Sequence, residues 1–348
     1  MVSTENSRVR QLLEDFVAAL TPTDHEPTLE ELRETCDQWM TMNVPAPPEL
    51  IVEQVNAGGV SCLWARMPGT PAERTILYLH GGAYVVGSAA GYLGFAAALS
   101  RAADARVLLV DYRLAPENPH PAALEDAITA YRWLLTSTPA ALTVVAGESS
   151  GGGLAVALLA ALRDAGDEVP AAAVSISPWV DMTLSGASLD ERAHLDPFTS
   201  RAGLEMNAGA YLQGQDPSTP SASPLFADLA GLPPTLILIG TNDALLDDSV
   251  RLADCARDHG VAVTISVVDG MYHMWPIMFS FLPEAHQAVE DIGVRAHPHQ
   301  MTPRQRRPGR TPARSSSPHF PEDHTRQTKV RRKASAQWDV RHRRKRTF

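Results

Sequence analysis

The sequence predicts an α/β fold: a mostly parallel, twisted sheet with helices on both faces. Three observations carry that expectation. Short runs that are apolar throughout alternate with longer Ala- and Leu-rich runs from Thr75 to Val268, as expected for strands buried on both faces between crossover helices. Each strand-like run ends in a cluster of polar residues or glycine, and such sheets gather ligands at the carboxyl ends of their strands. The stretch Leu142–Leu162 passes from a Val-rich run through Gly147-Glu148-Ser149-Ser150-Gly151 into an Ala/Leu-rich run. That is a strand meeting a helix at a turn sharp enough to need small flanking residues, and it pushes the Ser149 hydroxyl out at the sheet's edge.

Taken in order, Val9, Leu12, Leu13, Phe16, Val17 and Leu20 recur at helical spacing. Leu29, Leu32, Cys36, Trp39 and Met40 do so again, behind a Thr28/Glu31 capping box. Pro45–Pro48 ends this part. Two short strands are expected between Leu50 and Ala65, turning at Gly58-Gly59. Further strands are expected at 75–79, 107–110, before Ser149, at 171–176, 235–239 and 261–268, with helices near 122–135 and 249–258. Residues 181–224 interrupt the alternation with Ser, Gly, Asp and Pro and one helix-like piece at 204–212. The expected division is an N-terminal helical cap segment (1–45), a catalytic core (46–180 and 225–296), a cap insertion (181–224) and a basic tail (297–348). The tail has almost no aliphatic residues, so it reads as disordered.

The charge is unevenly divided. Residues 297–348 hold 15 Lys and Arg against 3 Asp and Glu, so the first 296 residues carry −22 within a total of −10. An acidic body does not suit nucleic acid or an anionic membrane surface. Cys36, Cys62 and Cys255 are odd in number and far apart, which fits neither a disulfide framework nor a metal cluster. With no signal-like leader and no apolar run of membrane-spanning length, a cytoplasmic protein is expected. Oligomeric state is left open, a homodimer being one candidate.

A serine hydroxyl needs a base, an acid that orients the base, and donors for the developing oxyanion. Of twelve histidines, His273 alone follows the last sheet strand; His259 and His286 fall in helical patterns, and His120 and His194 in loops without a preceding strand. The acid is expected at Asp243, directly after the strand ending at Ile239. Asp247 and Asp248 suit the start of the next helix, and Asp269 is a weaker rival. Gly81 and Gly82, after the strand at 75–79, leave their N–H groups unobstructed, and Ser150 adds a third donor. His80 is expected to shape that loop rather than act as a base. The chain order serine, acid, histidine is that of an α/β-hydrolase fold.

His80-Gly-Gly-Ala-Tyr-Val-Val-Gly87, Asp111-Tyr-Arg-Leu-Ala-Pro-Glu-Asn-Pro-His-Pro-Ala122, Gly147-Glu-Ser-Ser-Gly-Gly152 and the Asp243…His273 pair together resemble the hormone-sensitive-lipase-like family of α/β-hydrolases. The resemblance covers roughly residues 45–296. It implies a Ser149–Asp243–His273 triad, an oxyanion hole from Gly81, Gly82 and Ser150, a helical cap over acyl and alcohol pockets, and no metal or organic cofactor. Ala83 stands where a third glycine is often seen, and Glu148 and Ser150 where Asp and Ala are common.

The expected function is a serine hydrolase cleaving carboxylic esters of short to medium acyl chains through an acyl-enzyme. The alternative is a deacetylase removing an O- or N-acetyl group from a small metabolite. A reading from another class is a non-catalytic small-ligand receptor on the same fold, which would be expected to lack part of the triad. The partner is thus a small acyl ester or acetylated metabolite.

Overall fold

The computed structural model describes residues 2–23, 25–71 and 73–295. The basic segment 297–348, expected to be disordered, lies outside them. Eight strands form one sheet: β1 (Ile51–Ala57), β2 (Val60–Arg66), β3 (Thr75–Leu79), β4 (Arg106–Val110), β5 (Thr143–Glu148), β6 (Ala172–Ile176), β7 (Thr235–Gly240) and β8 (Val263–Val268). Their spatial order is β1-β2-β4-β3-β5-β6-β7-β8. Only β2 runs against its neighbours; β3 to β8 are mutually parallel.

That order fixes the position of the site. From β3 the chain crosses to β4 on one side, then returns to β5 on the other, so β3 and β5 become neighbours with Leu79 opposite Gly147. At such a switch point the two connections leave in opposite directions and open a crevice beyond the strands' carboxyl ends. His80-Gly81-Gly82 and Ser149 stand on its two sides. Next along, β7 and β8 end together, Gly240 opposite Val268, and release the loops that carry Asp243 and His273.

Strand alternation divides the core. Ile76, Tyr78, Val107, Leu109, Val144 and Ala146 face a layer with α1 (Asn6–Leu20), α2 (Leu29–Asn43), α3 (Leu93–Ala103) and α9 (Pro283–Arg295). Leu77, Leu79, Leu108, Val110 and Val145 face α4 (Ala122–Leu134) and α5 (Ser150–Ala165). Ile237 joins α8 (Leu246–Asp258) and Val156 of α5 on that second face.

The capping box forms as expected: Thr28 Oγ1 accepts from the Glu31 N–H, and the Glu31 carboxylate accepts from the Thr28 N–H at 2.7 Å. Within 181–224 there are two helices, α6 (Ser188–Glu191) and α7 (Arg201–Leu212), rather than one piece from 204. The earlier start of α7 comes from Ser200, whose hydroxyl accepts from the Gly203 N–H. Helix α3 was not anticipated. It is apolar nearly all round, buried along most of its length, and opens without a side-chain cap, so it lacks the usual helix signals. Among the described residues no helix is long and apolar enough to cross a membrane.

Candidate active site

Ser149 sits between β5 and α5 with φ +53° and ψ −123°, a conformation that L-residues adopt only under constraint. Its backbone supplies that constraint: the N–H donates to Ile176 O at 2.8 Å, and the carbonyl accepts from Gly153 and Trp179 at 3.1 and 3.0 Å. A Cβ at Gly147 would overlap the Gly151 carbonyl, and one at Gly151 would overlap the carbonyls of Leu79 and His80. Strand and helix therefore approach closely only because both positions are glycine.

The Ser149 hydroxyl lies 3.0 Å from Nε2 of His273. On the other side of the imidazole, Nδ1 is 3.1 and 3.2 Å from the two carboxylate oxygens of Asp243. A neutral ring protonated at Nδ1 donates to the carboxylate and leaves Nε2 to accept the serine proton. The two loops are pinned by Asn242, whose N–H and side-chain amide donate to Met271 O and Gly270 O, and by the Met274 N–H donating to Ser177 Oγ. His273 and Asp243 are buried, at 2% and 0% exposure. Burial alone opposes an imidazolium, but Asp243 in contact, with Asp196 and Glu148 nearby, outweighs it and raises the His273 pKa to about 9. The exposed carboxylate of Asp269 accepts instead from Thr241 Oγ1 at 3.2 Å.

The expected donor set needs one correction. The Gly81 N–H is already engaged, donating to Glu148 Oε1 at 2.6 Å. Among the described residues the N–H groups of Gly82, Ala83 and Ser150 have no protein acceptor. Gly82, Ala83 and Tyr84 all have positive φ, at +110°, +53° and +64°. The departure arises because the Glu148 carboxylate, at the end of β5, reaches across the crevice and accepts from the Gly81 N–H. His80 does shape the loop: its Nδ1 lies 2.7 Å from Gly81 O, its ring stacks on Tyr112, and its carbonyl accepts from Tyr112 Oη at 2.7 Å.

Sequence reasoning missed Asp196 and Phe198. Asp196 is buried, accepts from the N–H groups of Phe198 and Thr199 on one oxygen, and from the Ala244 N–H at 2.9 Å on the other. Burial, then the nearby Asp243 charge, push its carboxyl above the ordinary range. Asp247 and Asp248 do open α8, as expected, but each also reaches back to the 180–188 segment: Asp247 to Ser188 N–H, Asp248 to the N–H groups of Val180 and Asp181. Among the described residues no three His, Cys, Asp or Glu side chains stand together in a way that could hold a metal ion.

A serine, imidazole and carboxylate in one hydrogen-bonded line, at the carboxyl edge of a parallel sheet, define the serine-hydrolase class built on this fold. Comparison with known proteins agrees. The pattern of the family described as alpha/beta hydrolase fold matches residues 76–277. An acetyl-hydrolase of Streptomyces hygroscopicus is 41% identical over 286 residues, 77% of this chain and 95% of that protein. An esterase of Acinetobacter venetianus is 33% identical over 264 residues, 75% and 86% of the two chains. The crystal structure of an esterase from the bacterial hormone-sensitive lipase family superposes with a TM-score of 0.81 at 39% identity, covering 85% of this chain and 98% of that one. The chain belongs to the hormone-sensitive-lipase-like family of α/β-hydrolases.

Proposed function

We propose that this carboxylic ester hydrolase uses Ser149 as nucleophile, His273 as general base and Asp243 as the acid that orients the imidazole. The observation that carries the assignment is the unbroken line of contacts from Ser149 Oγ through both ring nitrogens to Asp243. Ser149 attacks the ester carbonyl while its proton passes to Nε2. The C–O bond to the alcohol then breaks as Nε2 returns that proton to the leaving oxygen. Water repeats the sequence on the acyl-enzyme and frees the acid. Gly82, Ala83 and Ser150 offer their unengaged N–H groups to the oxyanion, with the N-terminus of α5 adding its partial positive charge.

Short to medium acyl chains are the substrate class. The acetyl-hydrolase relative, matched over 95% of its length, favours a second reading on the same residues: removal of an acetyl group from a small metabolite. Residues 1–45 and 181–224 act as the cap that selects the acyl and alcohol parts. In support, Phe16 of α1 stacks on Phe198, and Phe198 stacks on His273. The enzyme acts in the cytoplasm, consistent with three unpaired cysteines; a homodimer would be detected by sedimentation.

The test is a series of p-nitrophenyl esters from acetate to dodecanoate, alongside acetyl esters and acetamides of one parent alcohol and amine. Activity greatest on acetate to octanoate, and lost by more than about 10³-fold in Ser149→Ala, is expected. Undiminished turnover in that variant refutes the assignment.

A further inference from the structure

We propose that Glu148, the residue before the nucleophile, is a positioning residue that fixes the oxyanion loop by occupying the Gly81 N–H. This rests on the donor assignment made above to Gly82, Ala83 and Ser150.

Glu148 is the last residue of β5 and is fully buried. Its Oε1 accepts two hydrogen bonds from the opposite side of the crevice, from the Gly81 N–H at 2.6 Å and from the Tyr92 hydroxyl. Gly81 lies just beyond β3 and Tyr92 just before α3, so a single carboxylate oxygen ties the β5 turn to both ends of the 80–92 connection. A Cβ on residue 81 would overlap that carboxylate, which is why glycine stands there. The glycine thus makes room for Glu148, and its N–H is consumed in holding it.

The consequence falls on the next two peptides. Gly82 and Ala83 are held at positive φ, and an L-residue such as Ala83 does not remain there without restraint from neighbouring contacts. Downstream, the Val85 and Val86 N–H groups both close onto Gly82 O at 2.9 Å. Upstream, the restraint is Glu148 on Gly81, with His80 and Tyr112 on the adjacent carbonyls. Backbone donors stabilise an oxyanion only when aimed beforehand at the place where charge develops. Freed from Glu148, the 80–81 peptide can rotate, and the donors that follow it turn away. The contact requires an acceptor at the tip of residue 148, not a charge, and burial already disfavours the ionised carboxylate there.

Three substitutions separate hydrogen bonding from packing. Glu148→Gln keeps an acceptor, Glu148→Met keeps an unbranched chain of similar length without one, and Tyr92→Phe removes the second donor to Oε1. With p-nitrophenyl acetate, Glu148→Met should lower kcat about 10- to 100-fold and change KM by less than about threefold. That is somewhat below the roughly 10²–10³-fold loss typical of deleting one oxyanion donor. Glu148→Gln should stay within about fivefold of the parent, and Tyr92→Phe should lose about three- to tenfold. A trifluoromethyl ketone, which forms an oxyanion on Ser149, should lose affinity in Glu148→Met by the same factor as kcat/KM, while the alcohol product's inhibition constant is unchanged. A merely structural role would move both inhibitors together. If Glu148→Met does not fold, Glu148→Gln and Tyr92→Phe decide: a folded Gln variant impaired more than about 100-fold, or an unimpaired Phe variant, overturns the proposal. So does a folded Glu148→Met of parental kcat. A parent protein inert on every ester would instead overturn the hydrolase mechanism itself.

Discussion

The ring of Phe198 lies over the imidazole of His273, their centroids 5.6 Å apart and their planes inclined by 21°. Phe198 also stacks on Phe16, at 5.4 Å and 11°, and Phe16 on Trp39, at 4.4 Å and 15°. One aromatic column thus runs from the two N-terminal helices, through the 181–224 segment, to His273. Its turn is held by Asp196, which also grips the Ala244 N–H beside Asp243. The burial of the imidazole comes in part from a segment far away in sequence.

Phe198→Ala removes the middle of that column. Truncating a buried aromatic costs about 3–5 kcal/mol, and Phe198 is only partly buried, so a loss of about 2 kcal/mol is expected in urea unfolding. Solvent admitted beside His273 should also lower kcat/KM about tenfold. A variant as stable and active as the parent would show that the stacking is incidental.

The pH dependence follows from the raised imidazole pKa. With His273 as the proposed general base, turnover needs its neutral ring, so kcat/KM should rise with pH and level off near a pKa of about 9 in the free enzyme. Asp243→Asn removes the main partner of the charged ring. It should shift that limb to lower pH while lowering kcat on the order of 10³–10⁴-fold. Stability has the opposite slope. Because the folded pKa exceeds the ordinary 6.5, the imidazolium–carboxylate contribution is complete below about pH 6.5 and disappears as pH rises through about 9. Urea midpoints measured between pH 6 and 10 should fall across that window in the parent and less so in Asp243→Asn.

Two glycines, both in helices, should respond oppositely to alanine. At Gly151 a Cβ would strike the backbone carbonyls of Leu79 and His80, so Gly151→Ala must force α5 away from the end of β3. A loss of more than about 3 kcal/mol, or insoluble protein, is expected. At Gly209 in α7 a Cβ meets nothing within 4 Å. Gly209→Ala should stabilise by about 0.5–1 kcal/mol through the unfolded chain, raising Tm with activity unchanged. Thermal melts of the two variants check both.

Much of this architecture was legible in the sequence because its signals are local. The Gly147–Gly151 turn, the strands ending before Asp243 and His273, and the Thr28 capping box each depend on neighbours a few residues away. What escaped depends on distant partners. Asp196 and Phe198 lie in a stretch without periodicity, and they matter only through His273 and Ala244. The engagement of the Gly81 N–H comes from a side chain 67 residues away, so the glycine pair looked like two free donors. Helix α3 was hidden by being apolar on nearly every side.

The most direct test of the account is to identify the residue that becomes covalently modified. A p-nitrophenyl phosphonate is incubated with the parent, Ser149→Ala and Ser150→Ala, and the adduct is located by peptide mass spectrometry. One phosphonyl group on Ser149 in the parent and in Ser150→Ala, and none in Ser149→Ala, is the expected result. An adduct on Ser150, or labelling that survives in Ser149→Ala, would contradict it.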